Sequence, residues 1–395
     1  MSSPTTDLGV GQVGYAFMGA AHSQAWRTAP AFFDLPLTPR RRVLVGRDHD
    51  RTAEVARRFE WDSVATDWHE LLGRDDVQLV DICTPSDTHA EIAIAALEAG
   101  KHVLCEKPLA NSVEEAEQMA KAASTASAAH GARAMVGFTY RRVPALSLAR
   151  RLVQEGRLGR LYHVRAQYLQ DWLADPDAPL SWRLDRTRAG SGALGDIGAH
   201  IVDMAQFVTG RSITSVSGAL ETFVDSRPVA GVASTLGGTG RPDAERGPVT
   251  VDDSAVFTAR MGGGLVGAFE ATRFATGRKN SLRLEVNGEL GSIAFDLEDM
   301  NVLHLHDATA DDAVGGFRRI VVTEADHPYI AGWWPPGHGL GYEHAFTHQV
   351  VDLVGDIAAG RDPSPSFADG LQVQRVLQAV EQSSDERCWQ DVRSH

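Results

Sequence analysis

An apolar run from Leu8 to Val13 leads directly into Gly14-Tyr15-Ala16-Phe17-Met18-Gly19, and a helical pattern follows from about Met18 to Ala29. A strand that turns sharply through glycines into a helix fixes the first unit of a β-α-β fold. The same alternation then continues. Strand patterns at Arg42–Val45, Val77–Cys83, His102–Cys105 and Ala134–Phe138 are separated by helical patterns at Asp50–Phe59, His89–Gly100 and about Ser112–Ala129. Strands that are apolar throughout, not alternately, predict a parallel sheet covered by helices on both faces. The fold class is therefore α/β, opening with a Rossmann-type dinucleotide-binding domain over residues 1–139.

The glycine-rich turn has the form G-x-A-x-x-G. Gly14 permits the tight turn and Gly19 lets helix and strand pack closely. The backbone at Ala16, with Phe17 and Met18, opens a helix whose positive N-terminus suits a pyrophosphate. A strand-turn-helix without a ligand is the plainer alternative. The end of the second strand bears on the choice of cofactor. A carboxylate there would accept from an adenosine ribose and repel a 2′-phosphate. Gly46 stands at that position, Arg47 follows it, and Asp48 comes next. The pair Gly46-Arg47 leans toward NADP, Asp48 keeps NAD open, and Arg47 can also be read as a solvated loop charge.

Beyond residue 139 the pattern changes. Tyr162–Tyr168, Ile213–Phe223, Ala255–Arg260, Leu265–Ala271, Leu282–Val286 and Ile320–Thr323 alternate between apolar and polar. Period-2 runs joined by glycine-rich turns predict a large, mostly antiparallel open sheet in a second α/β domain over 140–395. Helical patterns at about 144–156, 193–209, 342–360 and 369–387 accompany it, and a C-terminal helix can pack back on the first domain. Residues 226–250, rich in Gly and Pro, read as a long surface insertion.

Composition narrows the partners. Lys and Arg number 38 against 52 Asp and Glu, a formal charge of −14, which argues against nucleic acid or anionic lipid as the main partner. No apolar run approaches the roughly 20 residues that span a bilayer. The first residues lack the basic and apolar regions of a signal peptide. Cys83, Cys105 and Cys388 are an odd number in a large chain and read as reduced thiols of a cytoplasmic protein.

Three stretches carry a family resemblance: Gly14 through His22, Cys83-Thr84-Pro85-Ser86-Asp87-Thr88-His89, and Glu98-Ala99-Gly100-Lys101-His102-Val103-Leu104-Cys105-Glu106-Lys107-Pro108-Leu109-Ala110. They resemble the Gfo/Idh/MocA oxidoreductases, and the similarity extends over nearly the whole chain. The departures are Ala16 in the turn and Gly46 in place of the usual acid. The resemblance implies NAD(P)-dependent oxidation of a secondary hydroxyl of a sugar, anhydrosugar, glycoside or cyclitol. It adds Thr84, Pro85, His89, Glu106 and Lys107 to the cofactor-binding residues. It also implies a homo-oligomer, a dimer or tetramer, built on the open sheet. Redox-neutral glycoside cleavage and a non-catalytic cofactor-binding sensor are the alternatives on this fold.

Alcohol oxidation by hydride loss needs a base for the hydroxyl proton and a cation for the developing oxyanion. Lys107 suits the second task. Asp196 and His200 are four apart, so on a helix they share a face and the carboxylate can orient the imidazole. By resemblance His200 is the proton acceptor, and Asp196 binds a substrate hydroxyl. A helix cap with an internal histidine is the plainer reading of that pair. Tyr140, Gln170 and Trp182 match sugar-contacting positions by motif, with Trp172 and Arg141 as neighbours. Each aromatic can also be read as core, and Trp333-Trp334 as a rim. His338, Glu343, His344 and His348 include an i,i+4 pair like half a zinc site, but histidine-rich helix starts are common without metal, and no metal is expected.

Overall fold

The computed structural model describes residues 6–229, 231–233, 238–241 and 243–392. The chain divides into two compact units. One contains the residues up to Thr139 together with Gly341–Leu371, and the other contains Tyr140–Leu340 with the residues from Gln372 onward.

The first unit contains β1 (Thr6–Val13), α1 (Phe17–Phe32), β2 (Leu37–Val45), α2 (His49–Phe59), β3 (Ser63–Ala65), β4 (Leu79–Ile82), α3 (His89–Glu98), β5 (His102–Cys105), α4 (Val113–His130) and β6 (Ala134–Val136). The strands form one sheet in the order β3-β2-β1-β4-β5-β6, and every neighbouring pair is parallel. The last six residues of β1 are buried without a break, as a strand covered on both faces requires. Local signals set the helix ends. Asp48 caps α2 by accepting from the Arg51 N–H, and Ser112 caps α4 by accepting from the Glu115 N–H. Gly131 ends α4 in the left-handed conformation at φ 70°. The strand order reverses between β1 and β4, and in such sheets ligands sit beyond the carboxyl ends of the strands at that point.

Residues Gly341–Leu371 belong to this unit and not to the second domain read over 140–395, which had left room for a C-terminal helix to pack back on the first. The reason is packing: Phe346, Val350, Leu353 and Val354 of the helix Tyr342–Ala359 join the core of Trp26, Ala29 and Leu44. Each such side chain stabilises the unit by about 1.5–3 kcal/mol on full burial.

The second unit contains α5 (Pro144–Gln154), β7 (Leu161–Leu169), α6 (Arg186–Ala189), α7 (Ala199–Thr209), β8 (Ile213–Glu221), β9 (Ser226–Pro228), β10 (Gly231–Ala233), β11 (Gly238–Gly240), β12 (Arg246–Pro248), β13 (Ser254–Met261), β14 (Leu265–Thr272), β15 (Ser281–Gly288), β16 (Gly291–Asp296), β17 (Val302–Asp307), β18 (Arg318–Val321) and β19 (Gln390–Asp391). Nine strands form its large sheet, ordered β18-β17-β16-β15-β7-β14-β13-β8-β19. Only the β7–β14 pair is parallel, so the sheet is mixed and mostly antiparallel. Burial alternates along β13, with Ala255, Phe257 and Ala259 inside and Val256 54 % exposed. One face of the sheet is therefore open, as period 2 predicts.

The stretch 226–250 is more than a surface loop. β9 pairs with β12, and β10 pairs with β11. Arg227 is fully buried and donates to the carbonyls of Leu173 and Asp175, each at 2.7 Å. Residues 230, 234–237 and 242 of that stretch lie outside the described residues. Among the described residues no helix is long and apolar enough to cross a membrane.

Candidate active site

The turn after β1 is built for close backbone approach. Gly14 has φ +98°, and a Cβ there would lie 2.7 Å from the Cys83 carbonyl oxygen. The position thus requires glycine on conformation and space together. A side chain at Gly19 would strike the Gly14 carbonyl. Gln12, fully buried, staples the turn by donating through Nε2 to the carbonyls of Gly14 and Gly19, both at 2.9 Å. At Ala16 the N-terminus of α1 carries no side-chain cap and no acid in its first turn. Ala16 and Phe17 are exposed there, and Met18 is half-buried. Unpaired N–H groups on an open, acid-free helix end fit an anion. These residues therefore fit the pyrophosphate of a dinucleotide.

At the end of β2 the reason for Gly46 becomes visible. A side chain at that position would overlap the Tyr15 ring and Thr52 Oγ1. Tyr15 fills the space an acid would take, and Asp48 caps α2. Arg47 is exposed and makes no hydrogen bond or ion pair among the described residues.

Past the carboxyl ends of β4 and β5, Thr84 and His89 brace the loops that follow these strands. Thr84 Oγ1 accepts from Thr88 Oγ1 at 2.6 Å. Both ring nitrogens of His89 face carbonyls, Pro108 at 2.9 Å and Thr84 at 3.0 Å. Burial pushes its proton affinity down against the pull of those carbonyls. The imidazole is therefore committed to holding the Thr84-Pro85 loop to the loop after Lys107. Half-buried Lys107 follows Glu106, whose Oε2 accepts from the Lys107 backbone N–H at 3.2 Å.

In the second unit a chain of side-chain hydrogen bonds runs from Tyr140. Its hydroxyl lies 2.7 Å from that of Tyr168, which donates to Asn280 Oδ1 at 2.7 Å. Gln170 Nε2 donates to the same oxygen at 2.8 Å, and Trp172 Nε1 donates to Gln170 Oε1 at 2.8 Å. Two bonds on Asn280 Oδ1 leave its Nδ2 as a donor without a partner among the described residues. The His200 ring rests on this chain, 4.7 Å from the Tyr140 ring and 5.8 Å from that of Tyr168.

Asp196 and His200 do not lie on one uniform α-helix. Leu194–Gly198 is a π-helical turn, and α7 begins only at Ala199. The 3.6-residue stripe argument fails across that junction, and such wide turns recur at functional sites. The turn is held from outside. The Asp252 carboxylate accepts from the Gly192 N–H at 2.6 Å and the Leu194 N–H at 2.8 Å. Any Cβ on Gly192 would collide with the Asp252 backbone. Burial raises the Asp252 carboxyl pKa, opposed by Arg273 and by these two N–H groups. Arg273, fully buried, connects the parts. Its Nη2 donates to the Asp252 carbonyl at 3.1 Å, and its Nη1 lies 3.6 Å from Asp196 Oδ2. Its guanidinium also sits 5.5 Å from the Trp172 ring centroid.

Comparison with known proteins decides the family. Residues 8–138 match the model of the oxidoreductase family with an NAD-binding Rossmann fold, and residues 146–294 match the GFO/IDH/MocA C-terminal domain. The levoglucosan dehydrogenase of Pseudarthrobacter phenanthrenivorans is 43 % identical over 389 residues, 98 % of each chain. The chain belongs to the Gfo/Idh/MocA oxidoreductases. A crystal structure of an oxidoreductase domain protein from Kribbella flavida superposes with TM-score 0.93 at 66 % identity, covering 99 % of this chain and 100 % of that one. A levoglucosan dehydrogenase in complex with NADH and levoglucosan superposes with TM-score 0.91 at 41 % identity, covering 98 % and 100 %. As a Gfo/Idh/MocA member, the chain is an enzyme, a dehydrogenase of the NAD(P)-dependent type.

Of the residues singled out in the sequence, Tyr140, Gln170 and His200 come together in the second unit, and Asp196 is tied to it through Arg273. Others are committed elsewhere. Arg141 pairs with both carboxylate oxygens of buried Asp203. Trp182 lies in the short turn Trp182–Leu184, 4.6 Å under the Arg183 guanidinium and outside the hydrogen-bonded chain. Trp333 and Trp334 pair with each other at 6.5 Å. His344 Nδ1 accepts from the Gly341 N–H at the helix start, and His348 is buried 6.0 Å edge-on to Phe33. The apparent zinc pair is therefore a cap and a core residue. Sequence reasoning missed Gln12, Tyr15, Tyr168, Arg273 and Asn280. Tyr168 lies two residues before Gln170, but nothing in the spacing marks Tyr168 and Asn280 as bonded to each other.

Proposed function

We propose that this oxidoreductase oxidises a secondary hydroxyl of an anhydrosugar or pyranose, with levoglucosan as the leading candidate. The observation that carries this reading is the chain Tyr140–Tyr168–Asn280–Gln170–Trp172 beside His200. Amides and hydroxyls locked by one another offer fixed donors and acceptors, and the aromatic rings offer flat apolar surface. A sugar presents both hydroxyls and C–H faces. The 43 % identity to a levoglucosan dehydrogenase supports the same choice.

A nicotinamide bound through the Gly14 turn supplies the hydride acceptor. Lys107 donates from its ammonium to the hydroxyl oxygen and favours its alkoxide character. His200 takes the hydroxyl proton on a ring nitrogen. The C–H electron pair leaves as hydride, and the C–O bond becomes a carbonyl. Asp196 holds a neighbouring hydroxyl, and its charge favours the imidazolium that results.

For the cofactor we propose use of both NAD and NADP, with the unpartnered Arg47 receiving the 2′-phosphate. Arg47→Ala should raise KM for NADP by about tenfold or more, the scale of one charge-assisted hydrogen bond, and leave KM for NAD little changed. Equal changes for both cofactors would assign Arg47 to the solvated surface.

A further inference from the structure

Beneath the Glu106-Lys107 corner lies a charged cluster that the proposed chemistry does not use. His22, on α1, is 1 % exposed, Asp81, on β4, is 0 %, and Glu106, after β5, is 4 %. His22 Nδ1 lies 2.9 Å from Asp81 Oδ1, and His22 Nε2 lies 2.9 Å from Glu106 Oε1. Trp26 Nε1 donates to Asp81 Oδ2 at 2.7 Å, and Cys83 Sγ is 3.6 Å from Asp81 Oδ1. The other oxygen of Glu106 accepts from the Lys107 N–H.

Two ring nitrogens facing two carboxylates at this distance call for a proton on each N···O line, and an imidazolium between the two carboxylates supplies both. Burial alone lowers the proton affinity of His22, but the Asp81 and Cys83 groups outweigh it and hold the pKa well above the usual imidazole value. His22, Asp81 and Cys83 also offer ligand atoms within 4.8 Å of one another, but the same ring nitrogens are occupied as donors.

The cluster is a poor way to stabilise a core. Each buried ion carries a desolvation penalty of several kcal/mol, and apolar residues of equal volume often do as well or better. The sheet here is already paired, Asp81 with Leu104 and Ile82 with Cys105. Space is also kept for the carboxylate: a Cβ on Gly137 would come within 2.8 Å of Glu106 Oε1. What the cluster does fix is the position of Glu106, and through it the backbone of Lys107.

We propose that His22 is a positioning residue for Lys107. Its imidazolium clamps Glu106 against Asp81, and Glu106 sets the chain from which the Lys107 ammonium reaches the substrate. This rests on the role given to Lys107 under the proposed function.

A double-mutant cycle tests it, with NAD and levoglucosan as the assay pair and with NADH affinity and thermal melting measured alongside. His22→Gln should lower kcat about 100-fold, the scale of an ångström-level misplacement, with KM for levoglucosan little changed. In a Lys107→Met background the same substitution should change kcat by less than twofold, because its route of action is already gone. An unchanged kcat in the first background, or an equal loss in both, overturns the proposal. If His22→Gln does not fold, Glu106→Gln keeps the shape, removes the charge facing His22 and is carried through the same cycle. Full turnover by Lys107→Met alone, or no wild-type turnover of levoglucosan or of any other anhydrosugar or pyranose, refutes the parent reading separately, and the inference falls with it.

Discussion

Lys107→Met is expected to lower kcat by about 10²–10³-fold, the range seen when one preorganised oxyanion donor is removed. Methionine keeps an unbranched side chain of similar reach and takes away only the charge and its donors. The affinity for NADH should remain close to wild type, since in the proposed site the Gly14 turn and the open N-terminus of α1 would hold the pyrophosphate without Lys107. Arginine is not expected to rescue the variant. Its planar fork is larger, and it cannot present a compact ammonium to one oxygen. Stopped-flow or steady-state turnover, paired with a fluorescence titration of NADH, separates the two effects. A loss confined to NADH binding would assign Lys107 to the cofactor and remove it from the chemistry.

His200→Asn should cost about 10²–10⁴-fold in kcat, the contribution of a positioned general base. The sign of the pH effect follows from its role. In the proposed role the base works as neutral imidazole, so wild-type kcat should fall on the acid side of its pH profile as the base is protonated. The variant has no imidazole to protonate, and that acid limb should disappear. The Tyr140 ring at 4.7 Å gives His200 a fixed shelf, so the loss is one of chemistry and not of fold. A full acid limb retained in His200→Asn would place the base elsewhere.

The first unit was legible because its signals are local. A glycine turn between strand and helix, and strands apolar along their whole length, leave few alternatives to a parallel sheet. The second unit was legible as a class: alternation predicted the open sheet. The parallel β7–β14 pairing was not marked, since strands about a hundred residues apart leave no local trace, and β16 and β17 were not recognised although they follow β15 directly. Lys107, Asp196 and His200 stood out through their motifs. Their supports did not, because Arg273, Asn280 and Asp252 acquire meaning only through contacts across many residues. Gly46 illustrates the limit. The missing acid was readable, but the Tyr15 ring that fills its place was not. The π turn at Leu194–Gly198 is another case, for it depends on the tether from Asp252 and not on the helical pattern itself.

The proposed function requires net transfer of hydride from a sugar to free nicotinamide. The most direct measurement follows near-ultraviolet absorbance of purified protein with NAD or NADP against levoglucosan, hexopyranoses, inositols and simple glycosides. Steady production of reduced cofactor, fastest with an anhydrosugar or pyranose and accompanied by the ketone, is the predicted result. Glycoside cleavage with no net reduced cofactor, or cofactor binding with no turnover of any sugar, would contradict it.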